Sequence, residues 1–100
     1  MATYILLVNW TDQGIKAIKD SPKRLDAGRA LAKKFGCEVK DFYLTFGPYD
    51  MISVVEAPDD EAVAKHLLSL GSSGNLRTVT LKAFSETSYR EIIGSLNMGR

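Results

Sequence analysis

The chain has one hundred residues, 45% of them apolar and 9% aromatic, which predicts one folded domain over residues 1–100 and excludes a disordered or low-complexity chain. Thirteen Lys and Arg against twelve Asp and Glu leave a net charge of +1, so no global field draws the protein to nucleic acid or to an anionic membrane. The single cysteine, Cys37, cannot close an internal disulfide, and the opening apolar run Tyr4–Val8 is far too short to cross a bilayer, which together predict a cytoplasmic protein.

Tyr4–Trp10 is short, aliphatic and aromatic, and predicts a strand buried on both faces. Thr11 and Asp12 offer capping oxygens to a short helix over Gln13–Lys19. Ser21-Pro22 starts a second helix, whose apolar stripe runs through Leu25, Gly28, Ala32 and Phe35 until Gly36 stops it. Lys16, Lys19, Lys23, Arg24, Arg29, Lys33 and Lys34, interrupted by Asp12, Asp20 and Asp26, read as the solvated side of these helices. Glu38–Phe46 and Tyr49–Ala57 predict a hairpin turning tightly at Gly47-Pro48. Pro58-Asp59-Asp60-Glu61 opens a third helix with the inward stripe Val63, His66, Leu67 and Leu70, broken by Gly71–Asn75. Leu76–Phe84 is a fourth strand, and Ser85–Leu96 a short terminal helix.

This order is the α+β, ferredoxin-like β-α-β-β-α-β motif, with an antiparallel sheet ordered 4-1-3-2. Side chains alternate across strands, so each strand divides into two sets. The more uniformly apolar set, with Ile5, Leu7, Phe42, Leu44, Ile52, Val54, Val79 and Leu81, is expected under the helices. The other set is still largely apolar, and Tyr4, Leu6, Val8, Trp10, Tyr43, Met51, Val55 and Phe84 are expected to form an open face that pairs with a second copy. The competing arrangement is a monomer whose terminal helix folds over this face.

On the expected register, Asn9, Phe46, Asp50 and Arg77 share one sheet edge, with Gly28 on the facing helix leaving room below. The functional reading is a pocket for a small polar or anionic molecule, with Asp50 as a possible proton acceptor. The structural reading is an Arg77–Asp50 pair closing the sheet end, with Asn9 satisfying loop backbone. His66 is the only histidine and lies on an inward stripe, so it is first a packed core residue, second a general base or haem ligand. A lone histidine with no cysteine cluster predicts no metal centre and no cofactor. RNA is disfavoured because the third strand, Tyr49–Glu56, carries acids and no base.

Several segments together resemble the bacterial GYD-domain family over nearly the whole chain. They are Asn9-Trp10-Thr11-Asp12-Gln13-Gly14, Ser21-Pro22 with Arg24, Gly47-Pro48-Tyr49-Asp50, Ala57-Pro58-Asp59-Asp60-Glu61, Gly74-Asn75-Leu76-Arg77-Thr78 and Ala83-Phe84. The resemblance implies a dimeric α/β barrel, hence a homodimer, and leaves the biochemical role undefined. The expected function is a homodimeric small-molecule-binding protein. The rivals are a cofactor-independent oxygenase or isomerase acting through Asp50 or His66, and a haem-binding protein using His66.

Overall fold

Runs rich in branched and aromatic residues build four strands in the computed structural model, which describes residues 1–97: β1 (Ala2–Trp10), β2 (Glu38–Leu44), β3 (Met51–Ala57) and β4 (Leu76–Ala83). The helices are α1 (Asp12–Lys16), α2 (Ser21–Lys34), α3 (Asp60–Ser72) and α4 (Glu86–Gly94), with a 3-10 turn over Ile18–Asp20 joining α1 to α2. The sheet is antiparallel with order β2-β3-β1-β4, the 4-1-3-2 arrangement of the ferredoxin-like motif read from its other edge.

Short oxygen-bearing side chains start α1, α3 and α4 by accepting otherwise unpaired backbone N–H groups, whereas α2 begins at Ser21-Pro22 with no side-chain cap. Thr11 Oγ1 accepts from Gly14 N at 3.1 Å, Asp59 Oδ1 from Ala62 N at 2.8 Å, and Ser85 Oγ from Ser88 N at 3.1 Å. Gly36, at φ 76°, lets the chain leave α2 in the left-handed region that suits glycine. The first helix is shorter than Gln13–Lys19, and the hairpin connection is longer than a tight turn. β2 ends at Leu44 and β3 begins at Met51, and the loop between them is tied where Thr45 N donates to Asp50 O at 2.9 Å and Thr45 Oγ1 to Tyr49 O at 2.7 Å.

In β1, β3 and β4 the two sheet faces are the reverse of the sequence expectation, whereas Phe42 of β2 faces the helices as expected. Tyr4, Leu6, Val8, Met51 and Val55, expected on the open face, are buried in one core cluster with Ala32 of α2 and Val63 of α3. Trp10, Val39 and Phe42 pack against the same cluster. The open face instead carries Ile5, Leu7, Ile52, Val54, Val79 and Leu81, which stand opposite one another across β3, β1 and β4. Tyr43 does lie on this face, opposite Ile52, because a bulge between Val39 and Asp41 shifts β2 by one residue. Phe84 lies exposed beyond the end of β4.

Uniform apolarity is a poor guide to direction when both faces are apolar. The inward set tolerates Tyr4 and Ser53 because their hydroxyls find partners, whereas the buried Trp10 Nε1 has none among the described residues. The Tyr4 hydroxyl donates to the Asp60 carboxylate at the start of α3, and Lys82 Nζ sits 2.9 Å from the same oxygen. Ser53 Oγ donates to the Asp41 carbonyl, freed at the bulge, at 3.3 Å.

The terminal helix does not cover the open face. α4 has no substantial packing on any other described element, and its apolar stripe of Tyr89, Ile92 and Ile93, continued by Leu96, is exposed. The molecule extends 58 × 31 × 18 Å, with a radius of gyration of 15.8 Å, against about 13 Å for a compact hundred-residue domain. Replacing Leu6 by Ala is expected to lower the unfolding free energy by about 2–5 kcal/mol in a urea titration. A loss below about 0.5 kcal/mol would place Leu6 on the surface instead.

Candidate functional site

The polar residues at the sheet edge form a clasp. Asn9 Nδ2 donates to Pro48 O at 3.2 Å, while its Oδ1 accepts from Asp50 N at 2.9 Å. Asp50 Oδ2 in turn accepts from Trp10 N at 3.0 Å. One amide and one carboxylate thus fix the β2–β3 loop to the end of β1, where backbone groups would otherwise go unpaired. Arg77 stands beside Asn9 in register, but it makes no ion pair with Asp50, and Phe46 is fully exposed. The expected constellation is therefore divided: Asn9 and Asp50 meet, Arg77 lies exposed on the open-face side, and Gly28 belongs to a different compartment.

A second clasp holds α1 against the loop before β4. Thr11 N donates to Asn75 O at 3.0 Å and Thr11 Oγ1 to Gly74 O at 2.6 Å, while Gln13 Nε2 reaches Ser73 O and Asn75 Oδ1. Gly14 is required here by close approach, since a Cβ on it would stand 2.2 Å from the Asn75 carbonyl oxygen.

Between the helix-facing side of the sheet and α2 and α3 lies a cavity of about 70 Å³. Leu6, Val8, Val39, Phe42 and Met51 make its walls largely apolar; Gly28 and Leu70 come from the helices, and Ser53 and Thr78 from the sheet. His66 lines it and is only 1% exposed. Its Nε2 lies 3.2 Å from the Gly28 carbonyl, which can only accept, so Nε2 carries the proton and Nδ1 is a bare acceptor. Nδ1 is buried and has no partner among the described residues.

Arg24 and Arg29 also line the cavity, and neither is evident as a site residue from the sequence, where both read as part of a solvated basic helix surface. The signal that marks them is position, for they flank the Leu25–Gly28 stripe that α2 turns inward. Arg24 donates to Ala17 O and Gly14 O, both at 3.0 Å, and Arg29 to Val39 O at 3.2 Å. Asp50 does not line this cavity, while Asn9 and Arg77 line a second, open one of about 390 Å³ at the sheet edge, together with Pro48 and Tyr49 of the loop that carries Asp50. The cavity at His66 is far too small for a porphyrin, which removes the haem reading of that residue at this site.

Burial pushes the His66 imidazole below its ordinary 6.5, against a smaller upward pull from its bond to Gly28. The cavity therefore holds a neutral imidazole at neutral pH. Burial, aided by Asp59, pushes the Cys37 thiol up, leaving it protonated and unreactive. Tyr4 is pushed up to about 12, chiefly by its hydrogen bond to Asp60, whose carboxyl is held low by Tyr4 and then Lys82.

The sheet order and helix placement define a ferredoxin-like α+β protein with a small cavity on its helical side. The chain belongs to the GYD domain family, whose model matches residues 4–93. It is 39% identical over 84 residues, 83% of this chain and 88% of the relative, to a Thermus thermophilus protein named "Glutamine synthetase and cystathionine beta-lyase binding protein". The crystal structure of TTHA0845 from the same organism shares the fold, with a TM-score of 0.55 and 24% identity over 85% of this chain and 95% of that one. No described helix is long and apolar enough to cross a membrane.

The depressed His66 value sets a pH dependence of stability. The unfolded chain binds this proton at about 6.5 and the folded one only at lower pH, so the unfolded state holds more protons in that interval. Stability is full above 6.5 and falls as pH drops from there toward the folded value. His66→Gln, whose amide can still reach the Gly28 carbonyl, is expected to flatten this part of a melting-temperature profile. An unchanged slope in the variant would show that His66 titrates as it does in solution.

Proposed function

We propose that this chain is a homodimeric binding protein: two copies close sheet to sheet into a dimeric α/β barrel, and each keeps a small-molecule cavity beneath its helices. The observation that carries the dimer is the uncovered apolar face of Ile5, Leu7, Ile52, Val54, Val79 and Leu81. Val79 and Leu81 are 48% and 47% exposed on the edge strand β4, and no described element of the chain lies over them. Exposed apolar surface of this continuity marks an interface in soluble proteins.

The chain exposes 7038 Å², while a compact 11.0 kDa monomer is expected to expose roughly 5,600 Å², and the excess is spread over the open sheet face and the unpacked α4. A second copy is the natural occupant because it presents the same face at the same concentration, and a two-fold axis lets that face cover itself.

The name of the Thermus relative favours a second reading, in which the family docks onto metabolic enzymes. The two readings are compatible when the dimer uses the sheet and an enzyme meets the exposed stripe of α4. Sedimentation equilibrium is expected to give twice the 11.0 kDa chain mass. The double variant Val79→Asp, Leu81→Asp should give the single mass with its far-ultraviolet circular dichroism intact. Wild-type chain sedimenting as a monomer at micromolar concentration overturns the dimer. In a parallel titration on immobilised chain, glutamine synthetase binding lost in Ile93→Asp would support docking through α4. Binding that ignores this change would move the docking surface elsewhere.

A further inference from the structure

The open sheet face is apolar through its middle, and its charges stand towards opposite corners. Strand register places Arg77 on β4, opposite Asn9, at one end of the face. Asp41 lies diagonally away from it on β2, opposite Val54. Glu38 and Glu56 face each other directly and lie just beyond Asp41. Arg77 is exposed and lines the open cleft of about 390 Å³ beside Leu7 and Val79, where no carboxylate accompanies it. Neither Arg77 nor Asp41 nor Glu56 takes part in an ion pair among the described residues, and Glu38 has only Lys40 at 3.7 Å. Like charges directly opposite one another on paired strands repel, so the acidic corner favours a cation from outside the chain.

We propose that the two copies pack with their strands crossing near right angles, so that Arg77 of each copy is set against Asp41 of the other. This rests on the sheet-to-sheet dimer of the reading above and fixes its geometry and its polar contacts. A two-fold interface is isologous, so a face that covers itself carries both members of every unlike-charged pair. This face does so, with its cation and its acids well separated.

The placement of the charges selects the crossing. From β4 to β2 is the full width of the sheet, about 14 Å at ~4.8 Å per strand spacing. Along the strands, Arg77 is displaced from Asp41 by the step from Arg77 to Leu81, about 13 Å at ~3.4 Å per residue. The line joining them therefore runs at about 45° to the strands. A two-fold axis that exchanges the two positions lies between the sheets, perpendicular to that line, and turns the partner's strands by about 90°, the orthogonal class of sheet packing. Such an axis passes over the midpoint of the line, between Leu7 and Ile52, which stand opposite each other on β1 and β3. The interface then has an apolar centre and a charged rim. An axis along the strands would instead set Asp41 over Leu81, and one across them would set Arg77 over Ala83, leaving the charges against apolar surface.

Charge-swapped chains separate these arrangements. Arg77→Glu or Asp41→Arg alone sets like charges together twice in the homodimer. Each is expected to raise the dimer dissociation constant at least about tenfold in sedimentation equilibrium, with far-ultraviolet circular dichroism intact. In an equimolar mixture of the two variants both contacts are again unlike. A heterodimer should therefore form with close to wild-type affinity, and native mass spectrometry reads it directly. If a reversal unfolds the chain, Arg77→Gln and Asp41→Asn are expected to weaken the dimer several-fold each, and silence of both would overturn the pairing. Reversals that leave the homodimer unchanged, or that weaken it without recovery in the mixture, would overturn the pairing while leaving a sheet-to-sheet dimer. A dimer weakened by Arg77→Glu but untouched by Asp41→Arg would also overturn it, and would give the cleft at Arg77 to a small anion. Wild-type chain that stays monomeric would overturn the dimer and the pairing together.

Discussion

A four-stranded sheet that is apolar on both faces, with packed helices over only one of them, is the constraint from which the rest of this molecule follows. The covered face closes a core with Ala32, Val63 and His66, and it admits polar groups because Asp60, Lys82 and the Asp41 carbonyl are placed to receive them. The uncovered face has no such provision. Ile5, Leu7, Ile52 and Val54 are only half-buried by one another, and Val79 and Leu81 are exposed. Each Å² of this face that the proposed second copy covered would contribute roughly 25 cal/mol to association.

The residues on which the resemblance to the GYD domain family rests serve architecture more visibly than chemistry. Asn9 and Asp50 lock the β2–β3 loop to β1, Thr11 and Gln13 lock α1 to the loop before β4, and Arg24 ties α2 back to the carbonyls of Gly14 and Ala17. Gly14 is needed because the Asn75 carbonyl leaves no room for a Cβ. These ties rigidify one end of the sheet next to the helices that roof the cavity. Only Arg24 belongs both to this scaffold and to the cavity wall, so the scaffold and the cavity lining are largely separate sets of residues.

Much of the fold was legible because local chemistry decides it. Pro22 and Gly36 bracket α2, Asp59 starts α3, and the inward stripes through Ala32 and through Val63 and His66 hold. What was not legible was the direction of each strand's two faces. Alternation separates the sets but does not say which one points at the helices, and with both sets apolar the choice turned on partners distant in sequence, such as Asp60 for Tyr4. The bulge after Val39 was equally hidden, since it arises from pairing with β3 and carries no local turn residue. The expected Asn9–Asp50–Arg77 site failed in part for the same reason. Asn9 and Arg77 share the open-face parity, while Asp50 lies in a loop and spends its carboxylate on the Trp10 N–H.

The central claim is that a second copy covers the open face. The most direct measurement is an isotope-filtered nuclear Overhauser experiment on a mixture of methyl-labelled and unlabelled chains. Cross-peaks from the Val79 and Leu81 methyls of labelled chains to protons of unlabelled chains are the result that a sheet-to-sheet dimer requires. No such cross-peaks, together with strong broadening of the same methyls by a soluble paramagnetic agent, would mean that water and not a partner lies against this face.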